Sequence, residues 1–97
     1  MTFISINEAP SRSTYEGVAA TLGLAADRPE GLVLHTAGEL ESGRVRIVDI
    51  WESEQAERNF FRERLRPALE LAGVDLDHLR ATGHREVLDS FEYLTAS

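Results

Sequence analysis

The sequence predicts a single α+β domain, spanning residues 1–97, whose six elements follow the order β-α-β-β-α-β. Three observations predict this order. Two apolar runs, Leu32 to Thr36 and Val45 to Trp51, flank a loop with glycine at both ends, as a β-hairpin requires. Ser53 follows the second run closely and is a good N-cap for a helix. Near each end of the chain, apolar and polar residues alternate with the period of a strand.

The first strand and helix are predicted in the N-terminal third. Residues Phe3 to Asn7 alternate between two faces, and Pro10 ends the strand. Ser13 and Glu16 have the spacing of a capping box, which predicts a helix start at Ser13. The helix ends near Gly23, and residues 27–31 form a turn into the second strand. The predicted buried stripe of this helix is Tyr15, Val18, Ala19 and Leu22.

The second helix begins at Ser53 and should end at Gly73. Pro67 removes one backbone hydrogen bond, so we expect a kink or a restart near Arg66. A polar connection over residues 75–83, with one short turn, leads to a final strand over 85–94. The buried stripe of this helix comprises Ala56, Phe60, Phe61, Leu65, Ala68, Leu69 and Ala72.

This order of elements is the ferredoxin-like split βαβ arrangement, a four-stranded antiparallel sheet with two helices on one face. The other face carries apolar residues on every strand and has no helix to cover it. A patch of that size is a liability on a monomer. We therefore expect two sheets to pack face to face in a homodimer, as a barrel with a ligand cavity between them.

The composition of the chain excludes several classes of partner and of catalytic chemistry. The chain has 17 acidic and 10 basic residues, a net charge of -7, which disfavours nucleic acid and anionic membrane as partners. It has no cysteine, and all of its basic residues are arginine, so thiolate and lysine chemistry are excluded. No phosphate-binding or dinucleotide motif occurs, and we predict no cofactor and no metal. The start lacks the features of a signal peptide, so a cytoplasmic protein is expected.

His35 is the strongest candidate for chemistry. A hairpin symmetric about Leu40 and Glu41 pairs His35 with Arg46, so that His35 acts as a base while Arg46 holds a developing oxyanion. A one-residue bulge would move the side chains of one strand to the opposite face. The alternative to a catalytic His35 is a purely structural histidine. The predicted cavity lining on this face comprises Phe3, Ser5, Asn7, Val33, Val48 and Ile50.

The chain resembles the dimeric α/β-barrel superfamily, and within it the antibiotic biosynthesis monooxygenase-like domain. The resemblance lies in residues 29–32 before the second strand, 48–53 at the strand-to-helix junction, and Phe60 with 64–69 in the helix. It implies a homodimer that binds a small apolar or aromatic, polyketide-like molecule. It also implies cofactor-independent oxygenation, with His35, Asn7 and Arg46 as catalytic residues. The alternatives are an isomerase or cyclase that uses the same pocket, and a non-catalytic ligand-binding or stress-associated dimer.

Some members of the superfamily degrade haem, and Asn7 matches the asparagine that ends their first strand. They also use a helix tryptophan at the position of Phe60, so the resemblance to haem degraders is incomplete. Trp51 and His84 are further candidates for substrate contact, Trp51 at the strand-to-helix junction and His84 at the cavity rim. His78 lies among aspartates in a segment that is typical of a solvated loop.

Overall fold

A computed structural model describes residues 2–94 and shows one four-stranded antiparallel sheet with the strand order β2-β3-β1-β4. Each neighbouring pair in this order is antiparallel. The predicted ferredoxin-like fold class is thereby confirmed. The strands are β1 (Phe3–Ala9), β2 (Leu32–Glu39), β3 (Val45–Trp51) and β4 (Arg85–Asp89).

Three helical segments accompany the sheet. The first is α1 (Arg12–Leu22), and the second is a continuous run of α2 (Glu54–Phe60), a π-helical turn and α3 (Arg66–Leu71). The third is the short helix α4 (Leu76–Thr82), which occupies the connection that the sequence predicted as polar with one short turn. Asp75 caps this helix, because its side chain accepts hydrogen bonds from the backbone N–H groups of Asp77 and His78.

The interruption of the second helix has a clear cause. Pro67 cannot donate a backbone hydrogen bond, and its ring would collide with the preceding turn of a regular helix. The chain widens into a π-helical turn over Phe61–Leu65, in which the N–H of Arg66 bonds to the carbonyl of Phe61. Regular α-helix then begins again at Arg66. The restart predicted near Arg66 is confirmed.

Two predicted boundaries are wrong. Helix α1 begins at Arg12 because Ser11, not Ser13, is the N-cap, its Oγ accepting from the N–H of Thr14 at 3.2 Å. Strand β4 ends at Asp89 and does not continue to residue 94. Asp89 pairs with Phe3, the first residue of β1, so no strand remains for later residues to pair with.

The register of the hairpin also differs from the prediction. The loop runs from Leu40 to Arg44, with the N–H of Leu40 bonded to the carbonyl of Arg44 at 2.8 Å. His35 consequently pairs with Asp49, and not with Arg46. The sequence placed the centre of the hairpin between Leu40 and Glu41, whereas the observed pairs are symmetric about Ser42.

A β-bulge near the start of β2 determines which way His35 faces. Leu32 pairs with Trp51 and Leu34 pairs with Ile50, so Val33 is an extra residue in β2. The Arg28 guanidinium donates to the carbonyl of Leu32 at 3.2 Å and to that of Val33 at 2.7 Å. Without the extra residue, every following side chain of β2 would lie on the opposite face.

Directly paired residues share a face of the sheet, which divides the strands into a covered and a bare face. The covered face carries the buried Phe3, Ser5, Val45 and Trp51, and the helices pack on it. Trp51 contacts Phe60 of α2 with ring centroids 5.3 Å apart. The bare face comprises Ile4, Ile6, Glu8, Leu34, Thr36, Arg46, Val48, Ile50, Glu86 and Leu88.

The bare face is largely apolar and open. Leu34 is 41% and Leu88 is 44% exposed, while the isoleucines between them are partly exposed. The accessible surface of the chain is 6620 Å². A compact monomer of this mass exposes about 5,500 Å², so the chain exposes roughly 1,000 Å² more than its size requires. Among residues 2–94, no helix is long and apolar enough to cross a membrane.

Candidate functional site

The sheet and helix α1 bring three polar side chains together. The Tyr15 hydroxyl lies 2.7 Å from Nε2 of His35, and Nδ1 of His35 lies 2.5 Å from Oδ1 of Asp49. The Tyr15 and His35 rings are nearly coplanar and lie end to end, with an interplanar angle of 9° and centroids 6.3 Å apart. Both nitrogens of the imidazole are therefore engaged, one by a phenol and one by a carboxylate.

Each member is placed by a different element. Tyr15 lies on the inner stripe of α1, His35 follows the bulge in edge strand β2, and Asp49 lies opposite it in β3. The side chains of His35 and Asp49 are 25% and 14% exposed, so their contact is only partly screened by water. The arrangement depends on the register of β2, because the bulge turns His35 towards the helices.

The charge of Asp49 affects both of its neighbours. The hydrogen bond from His35 to Asp49 raises the pKa of the imidazole, although partial burial acts in the opposite direction. Burial raises the pKa of the Tyr15 phenol, and the negative charge of Asp49 raises it further. The imidazole therefore binds a proton more tightly than an isolated histidine does, and the phenol at Nε2 loses its proton less readily than an isolated tyrosine.

Ser5 lies next to Asp49 in the neighbouring strand β1 and adds a fourth polar side chain to the site. It pairs with Asp49 on the covered face and is 1% exposed. Its Oγ has no hydrogen-bond partner within residues 2–94. A buried hydroxyl without a partner is unfavourable, so Ser5 is a polar group available beside the carboxylate.

An open cleft lies next to Tyr15. Its volume is about 340 Å³, and it lies between the first turns of α1 and the ends of β2 and β3 at the hairpin loop. Both apolar and charged groups line it, and the charged ones lie at its rim. The lining comprises Arg12, Tyr15, Glu16, Ala37, Gly38, Glu39 and Val45.

Arg46 does not take part in this site. It lies on the bare face, where its guanidinium is 2.7 Å from Oε2 of Glu8, while Arg44 lies 2.7 Å from Oε1. These two arginines lower the pKa of Glu8 from 4.5 to about 2. The prediction that Arg46 lies beside His35 is wrong, because the symmetric hairpin on which it rested does not form.

Asn7 lies on the covered face, one row from Ser5, and belongs to a second polar cluster. Its Oδ1 accepts a hydrogen bond from Arg85 at 3.2 Å. Arg85 also forms two hydrogen bonds to the carboxylate of Glu57, at 2.8 and 3.0 Å. Glu57 is a buried residue of α2, so its ion pair with Arg85 joins that helix to β4. A catalytic role for Asn7 stays a prediction.

The prediction that the other candidate residues line one face with His35 is wrong, because the pairing of the strands divides them between the two faces of the sheet. Phe3 and Trp51 are buried on the covered face, and Nε1 of Trp51 has no partner within residues 2–94. Val48 and Ile50 lie on the bare face, opposite Ile6 and Ile4 of β1. Val33 is the extra residue of the bulge.

His84 is separated from His35 by the full width of the sheet. It precedes β4 at one edge, whereas His35 lies in β2 at the other. Its Nε2 lies 2.8 Å from Oε1 of Glu86. His78 is exposed on α4, and no three metal-ligating side chains converge anywhere in the part of the chain that the structure describes.

Sequence reasoning missed Asp49, and it considered Tyr15 only as a packing residue or as a partner for a phenolic ligand. Asp49 is a carboxylate in the middle of the apolar run of β3, and such an interruption is itself a signal of a paired polar group. Tyr15 lies on the inner stripe of α1, where packing alone explained it. The structure gives the phenol a polar partner, which an apolar residue at this position could not have.

The comparisons with known proteins agree with the fold. No family model matches the sequence, and no curated protein matches it. Solved structures do match. SnoaB, a cofactor-independent oxygenase from Streptomyces nogalater, is 18% identical with a TM-score of 0.64, and the match covers 98% of each chain.

Two further structures match over nearly their full lengths. Rv0793 from Mycobacterium tuberculosis is 13% identical with a TM-score of 0.70, covering 98% of this chain and 100% of that one. A candidate antibiotic biosynthesis monooxygenase from Deinococcus radiodurans is 15% identical with a TM-score of 0.64, covering 100% and 99%. The chain therefore has the fold of the antibiotic biosynthesis monooxygenase-like proteins, as the sequence resemblance predicted.

Proposed function

We propose that the chain binds a small, mostly apolar aromatic molecule beside Tyr15 and removes a proton from it, as the first step of cofactor-independent oxygenation. The contact of His35 with Asp49 and Tyr15 carries this proposal. A carboxylate at Nδ1 stabilises the imidazolium that forms when His35 accepts a proton. SnoaB, a cofactor-independent oxygenase of the same fold, supports the choice of reaction class.

The proposed reaction balances without any other oxidant. A methylene group activated by aromatic rings, R₂CH₂, loses a proton to the site and becomes a carbanion. The carbanion transfers electrons to O₂ and forms a hydroperoxide. Loss of water from the hydroperoxide leaves the ketone, so that R₂CH₂ + O₂ gives R₂C=O + H₂O. The residues of this chain hold and return the proton.

We also propose that the bare face is covered by a second copy of this chain. Six of its side chains are apolar, namely Ile4, Ile6, Leu34, Val48, Ile50 and Leu88. Leu34 and Leu88, at the two edges of this face, are 41% and 44% exposed, and an apolar face that is open to water is a liability on a monomer. Light scattering that gives twice the mass of one chain supports this assignment, and the mass of one chain at micromolar concentration contradicts it.

Two other functions use the same pocket. An isomerase or cyclase needs the same base and consumes no oxygen, and the His35 contacts favour it as much as they favour oxygenation. In a ligand-binding or stress-associated dimer, His35 only orders the layer between α1 and the sheet. Oxygen uptake separates oxygenation from isomerisation, and turnover of any kind separates both from binding alone.

The test begins with a thermal-shift screen against phenols, quinols, aromatic ketones, lactones and haem, because a bound ligand raises the melting temperature. Oxygen uptake is then measured on each stabilising ligand with the wild type and His35→Gln. The matched control is His78→Gln, since His78 is exposed on α4. Uptake that is lost in His35→Gln and kept in the control supports oxygenation. Uptake that persists in His35→Gln contradicts it.

A further inference from the structure

Tyr15 is the member of the Tyr15, His35 and Asp49 chain that lines the open cleft. His35 and Asp49 do not line the cleft, and His35 is joined to it through its hydrogen bond to Tyr15.

The hydrogen bonds of His35 leave no free nitrogen. In the neutral ring, Nδ1–H donates to Asp49, so the lone pair of Nε2 accepts the Tyr15 hydroxyl at 2.7 Å. A substrate can reach Nε2 only if Tyr15 moves aside. If Tyr15 stays in place, the proton must pass through its oxygen.

The geometry points to Tyr15 as the catalytic residue that takes the substrate proton and passes its own proton to His35. This inference rests on the proposed function and adds a residue to it. The substrate C–H bond breaks as a new O–H bond forms on Tyr15. The original O–H bond of Tyr15 breaks as Nε2 gains its proton, and Asp49 holds the resulting imidazolium. The reverse transfer returns the proton to the peroxide.

The surroundings of Tyr15 agree with a relay. Burial and the charge of Asp49 raise the pKa of the phenol, so a free tyrosinate is disfavoured. In a relay the phenol never carries a full negative charge, because it gains one proton as it loses another. The two rings are nearly coplanar, with an interplanar angle of 9°, so the hydroxyl points at Nε2 in the plane of the imidazole.

The test uses anthrone as the probe, because its CH₂ group is acidic and its enol is a phenol. Deuterium exchange into this CH₂ in D₂O without oxygen measures proton transfer alone. We expect Tyr15→Phe and His35→Gln each to lower the exchange rate by about 100-fold, the usual contribution of a positioned acid or base. The double variant should be no worse than either single variant, because the two residues act as one unit.

The chain offers a matched control, since Tyr93 is its other tyrosine and is exposed. Tyr93→Phe should exchange as the wild type does. In that background, biosynthetic 3-fluorotyrosine labels Tyr15 alone and makes its phenol more acidic. A relay then predicts a shifted pH profile of exchange with the fold intact, which a merely structural tyrosine would not give.

The outcomes are distinguishable. In one outcome, Tyr15→Phe exchanges as fast as the wild type or faster while His35→Gln is inactive. In that case the substrate displaces Tyr15, the relay is wrong, and His35 is still the base. An unshifted fluorotyrosine profile also overturns the relay. If His35→Gln keeps full exchange, or the wild type shows none, the proposed function fails and the relay fails with it.

Discussion

Replacing Asp49 by asparagine tests the physical basis of the site. The change keeps the shape of the side chain and removes its charge, so Nδ1 of His35 loses an anionic partner at 2.5 Å. The pKa of His35 should fall, because the hydrogen bond to Asp49 is the main cause that raises it. An NMR titration of the imidazole in both proteins measures this directly.

The same substitution has a pH-dependent effect on stability. The pKa of His35 is raised above its ordinary value of 6.5 in the folded chain, so the folded state binds the proton more tightly. This stabilisation is fully present below pH 6.5 and is lost as the pH rises through the folded-state pKa. The difference between wild type and Asp49→Asn should therefore be larger at pH 5.5 than at high pH.

The size of the effect follows from the geometry. A hydrogen bond between charged groups contributes about 2 kcal/mol, and both side chains here are more than two thirds buried. For a domain of this length, that loss lowers the melting temperature by roughly 10 °C. Urea denaturation at pH 5.5 and pH 8.5 measures the free energy of unfolding under both conditions.

Asp89→Asn is the matched control, because Asp89 lies on the same sheet and is exposed. It should change stability little at either pH. The reasoning is refuted if Asp49→Asn loses the same free energy at both pH values, or if the pKa of His35 does not fall.

Four further outcomes are expected. Gly31→Ala should lose at least about 1 kcal/mol, because Gly31 has φ 83° and a Cβ there would lie 2.5 Å from that of Ala56; chemical denaturation measures it. Trp51→Ala should lose about 3–5 kcal/mol in the same assay, since the indole is 1% exposed. Glu8→Gln should flatten the acid dependence of stability, because the wild-type contribution is complete above pH 4.5 and is lost as the pH falls towards 2. Ile50→Glu, at the centre of the bare face, should give a folded monomer by light scattering and circular dichroism.

Much of the fold could be predicted because the sequence carries local signals for it. The bounds of β3 follow from an apolar run, the start of α2 from a serine N-cap at Ser53, and the restart at Arg66 from Pro67. Each of these signals acts within a few residues of the feature that it specifies. The extent of β4 depended on where β1 begins, which is far away in the chain, and that prediction was wrong.

The candidate site was predicted less completely for the same reason. His35 is a conspicuous residue, but its partners depend on the register of the hairpin and on the bulge at Val33. A centre between Leu40 and Glu41 pairs His35 with Arg46, whereas the observed hairpin is centred on Ser42 and pairs His35 with Asp49. Tyr15 meets His35 only through packing of α1 on the sheet, for which the sequence offers no pairwise signal.

The bulge at Val33 suggests how a protein of this fold could move a polar side chain from one face of its sheet to the other during evolution. Strand β2 lies at the edge of the sheet and pairs with β3 alone, so inserting or deleting one residue there disturbs a single neighbour. Such a change would transfer the imidazole of His35 between the covered face and the bare face of the sheet. Arg28 stabilises the present bulge by donating hydrogen bonds to the carbonyls of Leu32 and Val33. A single-codon insertion or deletion in β2 would thus redirect the imidazole of His35 without altering the rest of the core.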